Sequence, residues 1–135
     1  MARHWLVKTE PGTFSFADLT RDGTTTWDGV RNNAAALHLK AMAKGDPVLV
    51  YHSGDDKAVV GLAEVSRTAF PDVSDPAGRF VAVELKAGQA VARPVTLAAM
   101  KANPKLAKLE MIRQSRLSVS PVTEAEWDEI LAMAG

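Results

Sequence analysis

The chain has 135 residues, enough for one domain with a real core and short of two ordinary ones at ~100–200 residues each. Its 47% hydrophobic and 24% charged content is that of a globular protein, and no stretch approaches the ~20 apolar residues of a membrane-spanning helix. Sixteen basic residues balance sixteen acidic ones, so no net field draws the molecule onto a polyanion from a distance, and any nucleic-acid contact has to be local.

The opening MARHWLVKTEPG lacks the long apolar region and cleavage site of a secretory signal, and with no cysteine there is neither a disulfide nor a thiolate metal site. A cytoplasmic location is expected. Residues 4–8 read as a short strand stopped by Pro11-Gly12, and Ser15 with Asp18 three residues on caps a brief helix over FADL. From Asn32 or Asn33 to Lys44 the Ala- and Leu-rich run predicts a helix that stops at Gly45. Residues 47–53, 58–67 and 79–86 carry β-branched side chains at strand length between Gly-, Asp- and Pro-containing turns. Residues 91–95 look like an edge strand, because Pro94 donates no ladder hydrogen bond. Thr96 caps a short helix ending near Asn103-Pro104, residues 117–122 form a last strand, and Thr123 with Glu126 makes a capping box in which Val122 and Trp127 sit at the staple positions. Without regular strand-helix alternation, this order predicts a curled, mostly antiparallel sheet flanked by helices in a single domain over 1–135.

Several chemistries are excluded by spacing. His4, His38 and His52 show neither HxH nor HExxH, so no metal is expected. No serine lies in a GxSxG elbow, and no Gly-rich phosphate loop of the GxxxxGK[ST] or GxGxxG type is present, so no nucleotide cofactor is expected either. Trp27 is the informative aromatic. Following Thr24, Thr25 and Thr26 and preceding Asp28-Gly29, it reads as the junction of a polar loop and a turn, where a flat ring can wall a flat ligand. Arg31 and Asn32 stand beside it at a helix N-terminus whose first N–H groups are free, although Asn32 or Asn33 is equally suited to cap them. Trp5 alternates onto the face of Val7, which suits a core position as well as a ligand contact. Tyr51, His52 and Ser53 end a strand with an aromatic ring and polar tips, and Arg113, Gln114, Ser115 and Arg116 form a segment too polar for a core and suited to phosphate oxygens.

The motifs WLVKTEP at 5–11, WDGVRN at 27–32, KGDPVLVYHS at 44–53, VVGLAEV at 59–65 and IRQSRLSVSPVTEAEW at 112–127 resemble, in order, those of the EVE domain, within the PUA superfamily. The resemblance implies an α+β, PUA-like fold, a small mixed but mostly antiparallel β-barrel surrounded by short helices. It further implies a reader module that accommodates one modified base of DNA or RNA, a modified cytosine or methylated adenine, and acts as a monomer without cofactor, metal or membrane. By the same resemblance the pocket takes Trp5, Lys8, Trp27, Asp28, Val30, Arg31, Asn32, Tyr51, His52 and Ser53, while Arg113, Ser115 and Arg116 hold the nucleic-acid backbone. Asn32 and Ser53 are the expected readers of the base edge. The chain departs from the family pattern at Thr9, which stands for a Ser, and at Asn33-Ala34-Ala35-Ala36, where an aromatic and a basic residue are common. Two alternatives accompany the reader: an interaction module with an idle pocket, and a small amidohydrolase acting on acylated nucleosides, since ASCH-type relatives resemble enzymes that use Lys, Thr and Glu, and Lys8-Thr9-Glu10 supplies those types. Adjacent strand residues face opposite ways, so these three share a pocket only if the strand breaks near Pro11.

Overall fold

The computed structural model describes residues 3–135. Strand β1 (His4–Thr9) leads into helix α1 (Phe16–Asp22), whose N-terminus carries the expected capping box: the Ser15 hydroxyl accepts from Asp18 N–H and the Asp18 carboxylate accepts from Ser15 N–H. Next come β2 (Thr24–Trp27), α2 (Asn33–Ala41), β3 (Pro47–His52), β4 (Ala58–Pro71) and β5 (Val81–Thr96). Helix α3 (Leu97–Ala102), a 3-10 turn (Pro104–Leu106), α4 (Glu110–Arg113), β6 (Val119–Val122) and α5 (Glu124–Met133) complete the order.

The six strands form one sheet in the order β2-β5-β4-β3-β1-β6, antiparallel except for the central pair β1 and β3. Its two faces bury different side chains. Trp5, Val7, Val48 and Val50 join Trp27, Leu39 and Leu85 in one core cluster, whereas Leu6, Leu49 and Tyr51 join Met100, Trp127 and Ile130 in the other, as period-two alternation requires. The staple residues Val122 and Trp127 meet in the second cluster.

Four expectations need correction. The barrel is not closed: no ladder joins β2 to β6 among the described residues. Trp27 of β2, Val119 of β6, and Ala35 and Leu39 of α2 all lie in one core cluster, so the helix packs into the core that these two edge strands share. The polar loop before Trp27 is an edge strand, with Thr25 opposite Leu85 and Trp27 opposite Val83; three consecutive threonines are strand formers as much as loop formers. The strands predicted at 79–86 and 91–95 are one element, since β5 pairs with β4 along a long hairpin whose bulges bend it without ending it. Helix α2 stops at Ala41 rather than Lys44, because the chain turns early to bring Asp46 beneath Trp5: the indole Nε1 donates to the Asp46 carboxylate at 2.9 Å, and Ala43 N–H donates to the same oxygen at 2.9 Å.

Gly61 of β4 marks the closest approach in this framework, where a Cβ would project directly into the Phe16 ring. Such overpacking costs about 1–3 kcal/mol. Gly61→Ala is expected to lower the urea midpoint with an unchanged m-value, and adding Phe16→Val is expected to return part of the loss; full stability of Gly61→Ala would contradict this packing.

Candidate functional site

A cleft of about 490 Å³ opens at the end of β1 on the Trp27 side of the sheet. Four segments enclose it. Lys8, Thr9 and Glu10 come from the end of β1 and the turn after it, and Thr13 and Phe14 from the approach to α1. Strand β2 gives Thr25, Thr26 and Trp27, the following loop gives Asp28, Gly29, Val30 and Arg31, and Ser118 adds a hydroxyl just before β6. Trp27 is only 8% exposed and meets the edge of Phe14 with ring centroids 6.2 Å apart at 84°, so its indole belongs to the core while still bordering the cleft. That edge-to-face contact holds two aromatic rings rigidly at the wall.

The loop 28–31 is held by a residue far along the chain. Asp72, 2% exposed, accepts from Gly29 N–H at 2.8 Å and from Arg31 Nη1 at 3.0 Å through one carboxylate oxygen. Its other oxygen accepts from the Ser74 N–H at 2.8 Å and hydroxyl at 2.6 Å, and Arg31 Nη2 reaches Ser74 Oγ at 3.0 Å. The guanidinium also lies 5.4 Å from the Phe80 ring. Burial alone would raise the Asp72 carboxyl, but the hydrogen bonds from Ser74, Gly29 and Arg31 outweigh it and hold the group well below the usual carboxylate range. Gly29 turns the chain with φ +77°, a left-handed conformation that glycine adopts without a steric penalty.

The expected site residues divide. Lys8, Trp27, Asp28, Val30 and Arg31 border the cleft. Trp5 does not: it is 2% exposed, with its N–H satisfied by Asp46. Asn32 caps α2 through Ala35 N–H at 3.0 Å and borders a neighbouring hollow of about 310 Å³ together with Arg113, Ser115 and Arg116. His52 is buried, accepting from Phe16 N–H on Nε2 at 2.9 Å and lying 3.0 Å from the Asp56 carboxylate through Nδ1, which makes it a brace for α1. Tyr51 and Ser53 border a third cavity on the opposite face of the sheet. Neither expected edge reader, Asn32 or Ser53, lines the cleft. The Lys8-Thr9-Glu10 run, in contrast, does so as a whole, since β1 ends at Thr9 and Glu10 leaves the strand geometry. Sequence reasoning passed over Thr13 and Phe14, which sit between recognisable elements, Ser118, which falls inside the strand expected at 117–122, and Asp72, which nothing local distinguishes.

The sequence matches the EVE domain family over residues 3–133. The chain belongs to the EVE domain family. A solved structure of a Rhodopseudomonas palustris protein is 46% identical to this EVE domain, with a TM-score of 0.94 over 99% of this chain and 94% of that one. Human thymocyte nuclear protein 1 is 28% identical over 98% of this chain and 74% of its own length. A crystal structure of human THYN1 in complex with DNA containing 5-methylcytosine superposes with a TM-score of 0.92 at 29% identity over 98% of both chains. An ASCH protein from Zymomonas mobilis, 15% identical with a TM-score of 0.61 over 96% of this chain and 94% of that one, shares the fold alone.

Asp72 also sets a pH dependence. An unfolded Asp titrates near ~3.9, and the folded carboxyl lies lower, so the group contributes stability that is complete above its unfolded value and is lost as pH falls toward the folded one. In urea unfolding between pH 7 and pH 3, Asp72→Asn is expected to be less stable than the parent at pH 7, with the gap narrowing as pH falls below about 4. A gap that stays constant to pH 3 would refute this role.

Proposed function

We propose that this EVE domain is a reader of a modified base in DNA, received in the cleft beside Trp27. The observation that carries the reading is the pairing of a preformed cleft of about 490 Å³, walled by Trp27, Phe14 and Val30, with a family whose human member has been solved with 5-methylcytosine DNA. The walls supply apolar surface for a planar ring and a methyl group, while Asp28, Glu10 and the hydroxyls of Thr13, Thr25 and Ser118 offer hydrogen-bonding groups to its edge. Arg31 has committed much of its fork to Asp72 and Ser74, so it shapes the rim more than it reads the ligand. Arg113 and Arg116, in the neighbouring hollow, suit the flanking backbone, although Arg113 is partly engaged by Glu110 at 3.1 Å.

Energetics decide which DNA is bound well. Extracting a base from a duplex costs a few kcal/mol and stacking on an aromatic returns ~1–3 kcal/mol, so a protein of zero net charge favours a base already loose or single-stranded. Burying one methyl group is worth ~0.8 kcal/mol, about fourfold in affinity. We expect a single-stranded oligonucleotide with one 5-methylcytosine to bind about fourfold tighter than its unmodified twin, by titration calorimetry or fluorescence anisotropy. Since Trp27 is also core and Trp→Ala changes cost ~3–5 kcal/mol there, the informative variants are Trp27→Phe, expected to weaken both ligands, and Asp28→Asn, expected to alter the preference. Equal affinity of the parent protein for both oligonucleotides would end the reader proposal. RNA of the same sequence forms a third arm, and a monomer in solution and residence in the cytoplasm belong to the same proposal, checked by light scattering and cell fractionation.

One observation favours a second reading. Lys8, Thr9 and Glu10 all border the cleft, as a nucleoside amidohydrolase would want. Against it, the Lys8 ammonium donates to Ser115 C=O at 2.7 Å and the Thr9 hydroxyl to Phe14 C=O at 2.6 Å, which employs both as structural ties. Incubation with N4-acetylcytidine is expected to give no turnover; deacetylation lost in Lys8→Ala would establish the enzyme instead.

A further inference from the structure

Lys8 borders two cavities. Beyond it, on the Tyr51 face of the sheet, lies a cavity of about 210 Å³ bordered by Lys8, Tyr51, Ser53, Lys57, Lys101 and Ser115, less than half the volume of the cleft. Three lysines border it from three elements: β1, the turn between β3 and β4, and α3. No carboxylate lines it, and none of the three lysines makes an ion pair among the described residues, although Arg21, Arg31, Lys105 and Arg113 do. The Glu10 carboxylate, which borders the cleft, packs against Gly54, itself part of the wall of this cavity.

The Lys8 side chain and the Lys57 backbone are tied into the fold. The Lys8 ammonium donates to Ser115 C=O at 2.7 Å and lies 5.8 Å from the centre of the Tyr51 ring. Burial lowers its pKa below the ordinary lysine value, the sign of a cation partly stripped of water. Lys57 has φ +43°, the one positive φ at a non-glycine residue among those described, and its carbonyl accepts from Leu97 N–H at 2.8 Å, which ties the turn to the start of the helix carrying Lys101. A left-handed lysine is strained and persists only where its surroundings hold it. Lysines gathered around one small cavity repel one another, and an anion placed among them offsets that repulsion.

We propose that this second cavity is an anion site that takes a phosphate of the same nucleic-acid strand whose base enters the cleft, with Lys8 standing between base and phosphate. It rests on the reader proposal for its choice of strand. Lysines serve a phosphodiester as point charges, free of the directional demands of a guanidinium fork, so the site adds affinity without sequence preference.

The test compares the parent protein with Lys57→Gln/Lys101→Gln and with Lys57→Gly, which removes a charge at a backbone conformation that glycine accepts more readily. Each is titrated over a salt series with single-stranded oligonucleotides carrying 5-methylcytosine or cytosine, and with inorganic phosphate followed by amide chemical shifts. The double variant is expected to bind both oligonucleotides several-fold more weakly, to keep their affinity ratio, and to show a log K against log salt slope shallower by about 0.7, the loss of one single-strand phosphate contact. Lys57→Gly is expected to do the same in part while remaining fully folded. An unchanged slope and affinity in both variants would overturn the proposal, also if inorganic phosphate alone shifted the Lys57 and Lys101 amides, since the cavity would then serve a free ion. A parent protein that ignores the methyl group, yet whose slope falls in the double variant, would end the reader proposal and leave the phosphate site standing.

Discussion

The Asp72 carboxylate is shut away from water and surrounded by four donors, so the loop that forms one side of the cleft cannot leave it without stranding a buried charge. Leaving a buried carboxylate short of one of its donors costs about 1–3 kcal/mol or more, a large fraction of a domain's stability. This is why Asp28, Gly29, Val30 and Arg31, which hold no helix or strand, still present a defined wall. The same carboxylate folds the turn after β4 around Ser74 and sets Arg31 against Phe80, linking both ends of a long hairpin loop to the cleft. Ligand-facing loops are commonly the least stable part of a domain. Here an ionic tie spanning more than forty positions offsets that tendency.

The placement of the site follows from the central parallel pair. Strands β1 and β3 run the same way and finish at the same edge, Thr9 opposite His52, so the segments that follow them collect there. Open sheets with parallel strands characteristically bind ligands beyond the carboxyl ends of those strands, where backbone and side chains diverge to leave a crevice. Three hollows occur at this edge, and they share walls: Lys8 between the first two and Ser115 between the second and third. A molecule of zero net charge thereby gathers Lys8, Lys57, Lys101, Arg113 and Arg116 around one rim. Local concentration of charge replaces the long-range field that the totals exclude.

The aromatic residues divide labour by how their polar atoms are satisfied. Trp5 gives its N–H to a buried carboxylate and so becomes a rivet between β1 and the turn before β3. Trp127 locks the start of α5 against Val122 and His4. Trp27, carried on the edge strand β2, borders the cleft at the end of β1, whereas Trp5 borders a separate hollow beside His4 and His38. Chemical type alone would not have separated them.

Much of the local structure was legible in the chain because its causes are local. The capping residues Ser15, Asn32, Thr96 and Thr123, the staple of Val122 with Trp127, and the strand periods around Val7, Val50 and Val59 depend on neighbours within a few positions. The motif from Trp27 to Arg31 likewise forms one continuous stretch along the cleft. Only the tertiary structure decided that the sheet stays open between β2 and β6, that Trp5 bonds Asp46 and His52 bonds Phe16, and that Tyr51 and Ser53 belong to a different cavity from Trp27. Alternation tells which residues of a strand share a face, but which face becomes core, which becomes cavity, and which distant aspartate arrives beneath a loop depend on pairings between strands far apart in sequence, and those are settled only when the whole sheet assembles.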